Sequence, residues 1–201
     1  MDLETIHRPD FKIINYEEYI SSFSEIVSQV EITTQSQQKI ATQVAMELTL
    51  NLLISCREKN GTIFVIGNGG SAAIASHVVI DLINMGKVRA MSMLDPATTT
   101  CISNDYGYEK IYEKQISQFA RPEDLLIAIS SSGNSKNIVN AATLARKLGV
   151  SIITLTGFSG NNALRQLGDY NFWLNSTDYG KVETGHAFLS HYLTDRLREI
   201  A

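Results

Sequence analysis

Thr62-Ile63-Phe64-Val65-Ile66 runs directly into Gly67-Asn68-Gly69-Gly70-Ser71, and the reading of this stretch decides the fold. The first five residues carry no charge and are mostly β-branched or aromatic, the pattern of a central strand buried on both faces of a parallel sheet. The residues that follow the turn, Ala72-Ala73-Ile74-Ala75-Ser76-His77, are small enough for close helix packing, with Ser71 placed as the N-cap. Glycines let the chain turn sharply, and the first helical N–H groups are left pointing at whatever fills the turn. An anion, above all a phosphate, suits that position.

A second unit repeats the arrangement. Asp124-Leu125-Leu126-Ile127-Ala128-Ile129 leads into Ser130-Ser131-Ser132-Gly133-Asn134-Ser135, and Ile138, Ala141, Ala142, Ala145 and Leu148 then mark a helical apolar stripe. Four hydroxyls at a strand-to-helix turn can donate to phosphate oxygens without supplying a positive charge. The competing reading is a multiply capped helix, because Ser, Asn and Gly favour such positions for local reasons.

Around these two units, strands alternate with helices. Helices are expected over Tyr16 to Val30 and Ser36 to Lys59, ahead of the first strand. Further strands are expected at Val88 to Leu94, Ser151 to Thr156 and Asn171 to Leu174, with short helices at Ala97 to Ile102 and Asn161 to Leu167 and longer ones at Glu109 to Ala120 and Lys181 to Glu199. Ser103-Asn104-Asp105-Tyr106-Gly107-Tyr108 reads as a polar, aromatic loop. The fold class is therefore α/β, a five-stranded parallel sheet between helical layers with short right-handed crossovers. One domain accounts for all 201 residues. Residues 1–60 supply an arm and two helices whose apolar faces suit an oligomer contact, and residues 61–201 form the core. In such a sheet the site lies beyond the carboxyl ends of the strands, where both turns and the Asn104-Asp105 loop arrive.

A net charge of −4 argues against a general nucleic-acid or membrane-surface binder. Cys56 and Cys101 form no metal-binding pattern, read as buried thiols and suit a reducing cytoplasm. The first ten residues read as a loose polar arm, without a signal peptide's apolar segment.

Four side chains could do chemistry near the turns. His77 and Asp81 stand four apart on one helix and share a face, while Glu183 and His191 lie on the last helix. Two histidines and two carboxylates form a candidate metal or acid–base cluster. Glu183 and His191, however, are eight residues apart, about 12 Å along a continuous helix. Either the helix starts after Glu183, or the two residues serve sites from different subunits. His186, five residues from His191, faces another side and reads as a packing or subunit-contact residue.

Taken together, Gly67-Asn68-Gly69-Gly70-Ser71, His77, Ser103 to Tyr108, Ser130 to Ser135 and Leu155-Thr156-Gly157 resemble the sugar-isomerase (SIS) domain and, within it, the phosphoheptose isomerases. The resemblance implies a cytoplasmic homotetramer that interconverts sedoheptulose 7-phosphate and D-glycero-D-manno-heptose 7-phosphate, the first step toward nucleotide-activated heptose. It implies substrate and phosphate contacts from Asn68, Gly69, Gly70, Ser71, Asn104, Asp105, Ser130, Ser131, Ser132, Ser135 and Glu183. It implies one zinc ion held by His77, Asp81, Glu183 and His191, and proton transfer by Asp81 and His191. Asp81 stands where the family usually has glutamate, which shortens its reach by about 1.5 Å. Glu183 stands where the family usually has glutamine, and it adds a negative charge. No nucleotide cofactor is expected, since Gly67-Asn68-Gly69-Gly70 departs from the dinucleotide fingerprint. Two rival readings are an SIS-domain assembly factor for a replication initiator and a phosphosugar sensor.

Overall fold

Successive side chains of a strand point to opposite faces, so a strand buried on both sides must be apolar throughout. Thr62–Ile66 (β3) meets that condition: Ile63 and Val65 enter one core, and Phe64 and Ile66 the other. The computed structural model describes residues 15–200, and the expected N-terminal arm lies outside the described residues. Beside β3 run Arg89–Ser92 (β4) on one side and Leu125–Ser130 (β5) on the other, then Ser151–Thr156 (β6) and Tyr170–Trp173 (β7), all parallel. The β5–β6 register runs from Leu125 opposite Ser151 to Ser130 opposite Thr156, so the serine turn and Gly157 leave the sheet side by side.

Among the described residues the sheet has seven strands, not five. The added pair is a hairpin, Glu31–Thr34 (β1) and Lys39–Ile40 (β2), with β1 antiparallel to both β7 and β2. Their four and two residues are too few to show a periodicity of their own. The turn passes through Gln37 at φ 62°, and the following helix accordingly starts at Thr42 and not at Ser36.

Two helical layers cover the faces. Tyr16–Ser28 (α1), Thr42–Glu58 (α2), Gly70–Asn84 (α3) and Tyr179–Glu199 (α7) lie on one side. There Leu53, Val78, Leu82, Leu189, Leu193 and Leu197 pack on Ile63, Val65, Ile127 and Leu155. Ile111–Phe119 (α5) and Lys136–Lys147 (α6) lie on the other, with Tyr112, Ile116, Ile138 and Ala142 against Phe64, Leu126 and Ile152. Between β4 and α5, the expected loop over Ser103 to Tyr108 is instead the end of a helix, Pro96–Tyr106 (α4), followed by a 3-10 turn at Tyr108–Lys110. Asp95 caps α4 by accepting from Thr98 N–H at 2.7 Å, and Pro96 is preset for the first helical position. The expected short helix after β6 is a 3-10 turn, Leu164–Gln166.

Cys56 is buried, and burial pushes its thiol up to about 11; Cys101 is exposed on α4, contrary to expectation. Among the described residues no helix is long and apolar enough to cross a membrane.

Candidate active site

At the carboxyl end of β3 the glycines are required by space. A Cβ on Gly67 would lie 2.5 Å from the Ser71 carbonyl oxygen, and one on Gly70 would lie 2.4 Å from Glu183 Oε2. Gly69 has φ 54° and ψ −122°, a conformation suited to glycine, and it is the N-cap of α3. Ser71 is thus inside the helix and not its cap, because α3 begins two residues earlier than expected, with Gly69 as its cap. It is 4% exposed and lines the cleft that the turn forms.

Facing this turn is the serine loop. The capping reading required these hydroxyls to satisfy helix N–H groups, yet Ser135 caps α6 without a side-chain hydrogen bond. The Ser131 hydroxyl is buried with no partner among the described residues. Ser130 and Ser132 accept from the backbone of Gly133 and Asn134 within the loop. A buried hydroxyl without a partner is costly unless a ligand completes it. The loop is braced from outside: Gly157 N–H donates to the Ser131 carbonyl at 3.0 Å, Leu164 N–H to the Gly133 carbonyl at 2.9 Å, and Ala163 N–H to Asn134 Oδ1 at 3.1 Å.

The cleft between the two turns holds about 320 Å³ and is lined by Asn68, Gly69, Gly70, Ser71, Ser130, Ser131, Ser132, Ser135, Tyr179 and Glu183. Glu183 is its one charged side chain. Asn104 and Asp105, hydrogen-bonded to each other at 2.9 Å on exposed α4, are not among the lining residues. Tyr179, at the first turn of α7, was not expected; its only sequence signal is the preceding Asp178, which caps the helix by accepting from Lys181 N–H. Phe158, at φ 52°, sets its ring edge-on against Tyr179 at 4.7 Å.

A second cleft, of about 290 Å³, lies further along α3 and α7. Gly70 lies level with Glu183, Asp81 with His191 and Gly86 with Leu197, so the two helices run parallel. Asp81 Oδ2 is 3.2 Å from His191 Nδ1 and 3.5 Å from His77 Nε2, and the two imidazoles meet edge-on with centroids 4.9 Å apart. One ligand atom from each residue lies within 4.8 Å of the others. Two imidazole nitrogens and a carboxylate oxygen suit a divalent first-row ion and leave a coordination position open. The Asp81 side chain is 14% exposed, whereas both histidines are about half exposed.

Glu183 does not join this triad within the chain. α7 is continuous from Tyr179, so the helix does not start after Glu183; the carboxylate stays at the glycine turn, eight residues and about 12 Å of helix rise before His191. His186 is fully buried, neither ring nitrogen has a hydrogen-bond partner among the described residues, and desolvation pushes its pKa down to about 4. It is a packing residue.

A family model for the SIS domain matches residues 18–157. The chain belongs to the SIS-domain family. Within the SIS family, it is 35% identical over 159 residues to the phosphoheptose isomerase of Helicobacter pylori strain P12, covering 76% of this chain and 82% of that one. Among solved structures, the phosphoheptose isomerase of Francisella tularensis superposes with a TM-score of 0.78 at 28% identity, covering 91% of this chain and 96% of the other. That of Neisseria gonorrhoeae gives 0.74 at 28% identity, covering 90% and 98%. These similarities put the chain among the phosphoheptose isomerases of the SIS family.

Proposed function

We propose that this chain is a phosphoheptose isomerase that interconverts sedoheptulose 7-phosphate and D-glycero-D-manno-heptose 7-phosphate, a cytoplasmic step toward nucleotide-activated heptose. The observation that carries the reading is the buried, unpartnered Ser131 hydroxyl in a cleft shared by two helix-opening turns. Ser130, Ser131, Ser132 and Ser135 bind the phosphate, and Asn68, Gly69, Gly70 and Ser71 close on it from the other side with neutral donors. Asn104 and Asp105, at the end of α4, belong to the rim that contacts the sugar.

Aldose–ketose isomerisation is a proton shift with no net redox change. A base removes the proton alpha to the carbonyl, the carbonyl oxygen gains a proton to give an enediol, and the neighbouring carbon is then reprotonated as the other hydroxyl loses its proton. Asp81 and His191 form the proton-transfer pair, within reach of each other at 3.2 Å. His77, Asp81 and His191 would hold zinc, whose chemistry is to polarise the carbonyl and hydroxyl oxygens. Neither a binding-only scaffold nor a sensor needs such a triad.

The separation of the two clefts along α7 supports a site assembled from more than one copy, with Glu183 of one subunit completing the triad of another. In accord with that, α1 contributes no buried residue, and Ile20, Ile80, Ile83 and Phe188 are exposed on the helical face. A homotetramer packed through residues 1–60 and α7 accommodates both observations.

The test is incubation with sedoheptulose 7-phosphate in deuterated water, with zinc and after chelation, followed by proton NMR. Turnover with deuterium appearing alpha to the carbonyl, lost in His191→Ala, is the expected result. Tight binding of the sugar phosphate without turnover or exchange would overturn the isomerase reading.

A further inference from the structure

The glycine turn and the serine turn are joined through Asn137, a side chain that the proposed chemistry does not use. Asn68 Nδ2 donates to Asn137 Oδ1 at 2.9 Å, and Asn137 Nδ2 donates back to Asn68 Oδ1 at 2.8 Å. This reciprocal pair is unchanged if both amides are turned over together. Asn137 sits two residues beyond Ser135 in the first turn of α6 and is 2% exposed. The Tyr108 hydroxyl, from the 3-10 turn, donates to Asn68 Oδ1 at 3.1 Å. Behind the turn, the Tyr112 hydroxyl of α5 donates to the Gly67 carbonyl; burial pushes its ionisation up to about 12, so it remains a donor at neutral pH. Among the described residues, the Asn68–Asn137 pair supplies the hydrogen bonds that tie one turn to the other.

We propose that Asn137 is a positioning residue for phosphate recognition, fixing the gap between the two turns, with Tyr108 holding the same Asn68 amide from the open side. The proposal rests on the phosphosugar reading of the cleft. The charge on the page explains why such a device is needed. Among the described residues the cleft lining contains no cation, and its one charged group, Glu183, opposes an anion. Affinity must then come from several neutral donors, each effective only near 2.7–3.2 Å. An amide pair closed by two hydrogen bonds resists both widening and sliding, whereas a single bond would allow rotation about it. Loosening the gap therefore weakens contacts from both turns together, although Asn137 is absent from the lining.

The experiment compares wild type, Asn137→Leu and Tyr108→Phe as full-length proteins. It reads inorganic phosphate affinity by calorimetry, KM and kcat with sedoheptulose 7-phosphate, and melting temperature. Leucine matches asparagine in size and removes both bonds, so Kd for phosphate and KM should rise about tenfold or more, with kcat within about threefold. Tyr108→Phe, at a half-exposed site that carries little folding risk, should raise both by about two- to fivefold. If Asn137→Leu does not fold, the Tyr108→Phe split between KM and kcat decides. A lowered melting temperature with unchanged KM and phosphate affinity would overturn the positioning role while leaving the isomerase intact. Absence of phosphate binding by wild type would instead remove the phosphosugar reading, and this proposal with it.

Discussion

Replacing Gly133 by alanine measures how closely the serine loop is built onto its neighbours. Gly133 has φ 64°, in the left-handed region, where a Cβ costs about 1–2 kcal/mol. The added carbon would also lie 1.9 Å from Asn162 Oδ1 and 2.1 Å from its Cγ, so that side chain must leave. Asn162 is 2% exposed; its Oδ1 accepts from Arg165 N–H at 2.9 Å and its Nδ2 donates to the Ser159 carbonyl at 2.8 Å. Leaving the buried Arg165 N–H unpaired costs about 1–3 kcal/mol beyond the backbone term, whereas the carbonyl of exposed Ser159 can turn to water. Gly149→Ala is the matched control: φ is 78°, but the nearest atom to its Cβ is Pro122 Cβ at 3.9 Å, so only the backbone cost applies. In a domain of this size each kcal/mol shifts Tm by about 2–4 °C, which separates the two variants by at least about 2 °C, Gly133→Ala being the lower. Thermal unfolding followed by circular dichroism at equal protein concentration reads the gap. Melting of both variants within about 1 °C of each other would refute the reasoning, since Asn162 would then be moving at no cost.

Two further outcomes follow from charge. Glu183→Gln removes the one charged side chain of the phosphate cleft, so metal-free protein should bind inorganic phosphate about fivefold more tightly at low ionic strength, with the gain shrinking as salt is added; equal affinities would show that Glu183 does not face the anion. His186 ionises near 4 in the folded protein and near 6.5 when unfolded, so between those pH values the unfolded chain binds the extra proton. Stability should consequently fall as pH drops through that window and level off below it; urea midpoints across it should fall less steeply for His186→Gln than for wild type.

Elements whose burial leaves a mark on composition were legible in the sequence. β3, β5 and β6 are charge-poor runs because each lies between two helical layers, and the helices of those layers carry apolar stripes. α4 has no buried residue, so no stripe betrays it, and its polar end over Ser103 to Tyr106 reads as loop. The β1–β2 hairpin is too short for a pattern and takes its conformation from pairing with β7. At the site, the glycine and serine turns were visible because chain geometry demands those residue types there. Asn137 and Tyr112 were not, and Tyr108 was read only as part of a polar, aromatic loop, because their partners lie 40 to 69 residues away and nothing local points to them. The spacing of Glu183 and His191 already conflicted with one shared metal position on a single helix. That the helix begins at Tyr179, two residues ahead of the expected start, was hidden in a cap at Asp178.

The hairpin also governs how the protein meets its surroundings. A parallel sheet ending in β7 would offer a row of free backbone groups to any extended chain, the usual starting point for strand-by-strand aggregation. β1 closes that row along its four residues, while β2 covers only part of β1 and brings Lys39 to the border. Lys39 is engaged with Glu31, which also receives the buried Arg165 guanidinium stacked over Trp173, so the border is anchored into the layer beneath it. A two-residue outer strand leaves almost no template for a further one. On this flank the sheet is finished, and growth by β-addition stops at Lys39 and Ile40.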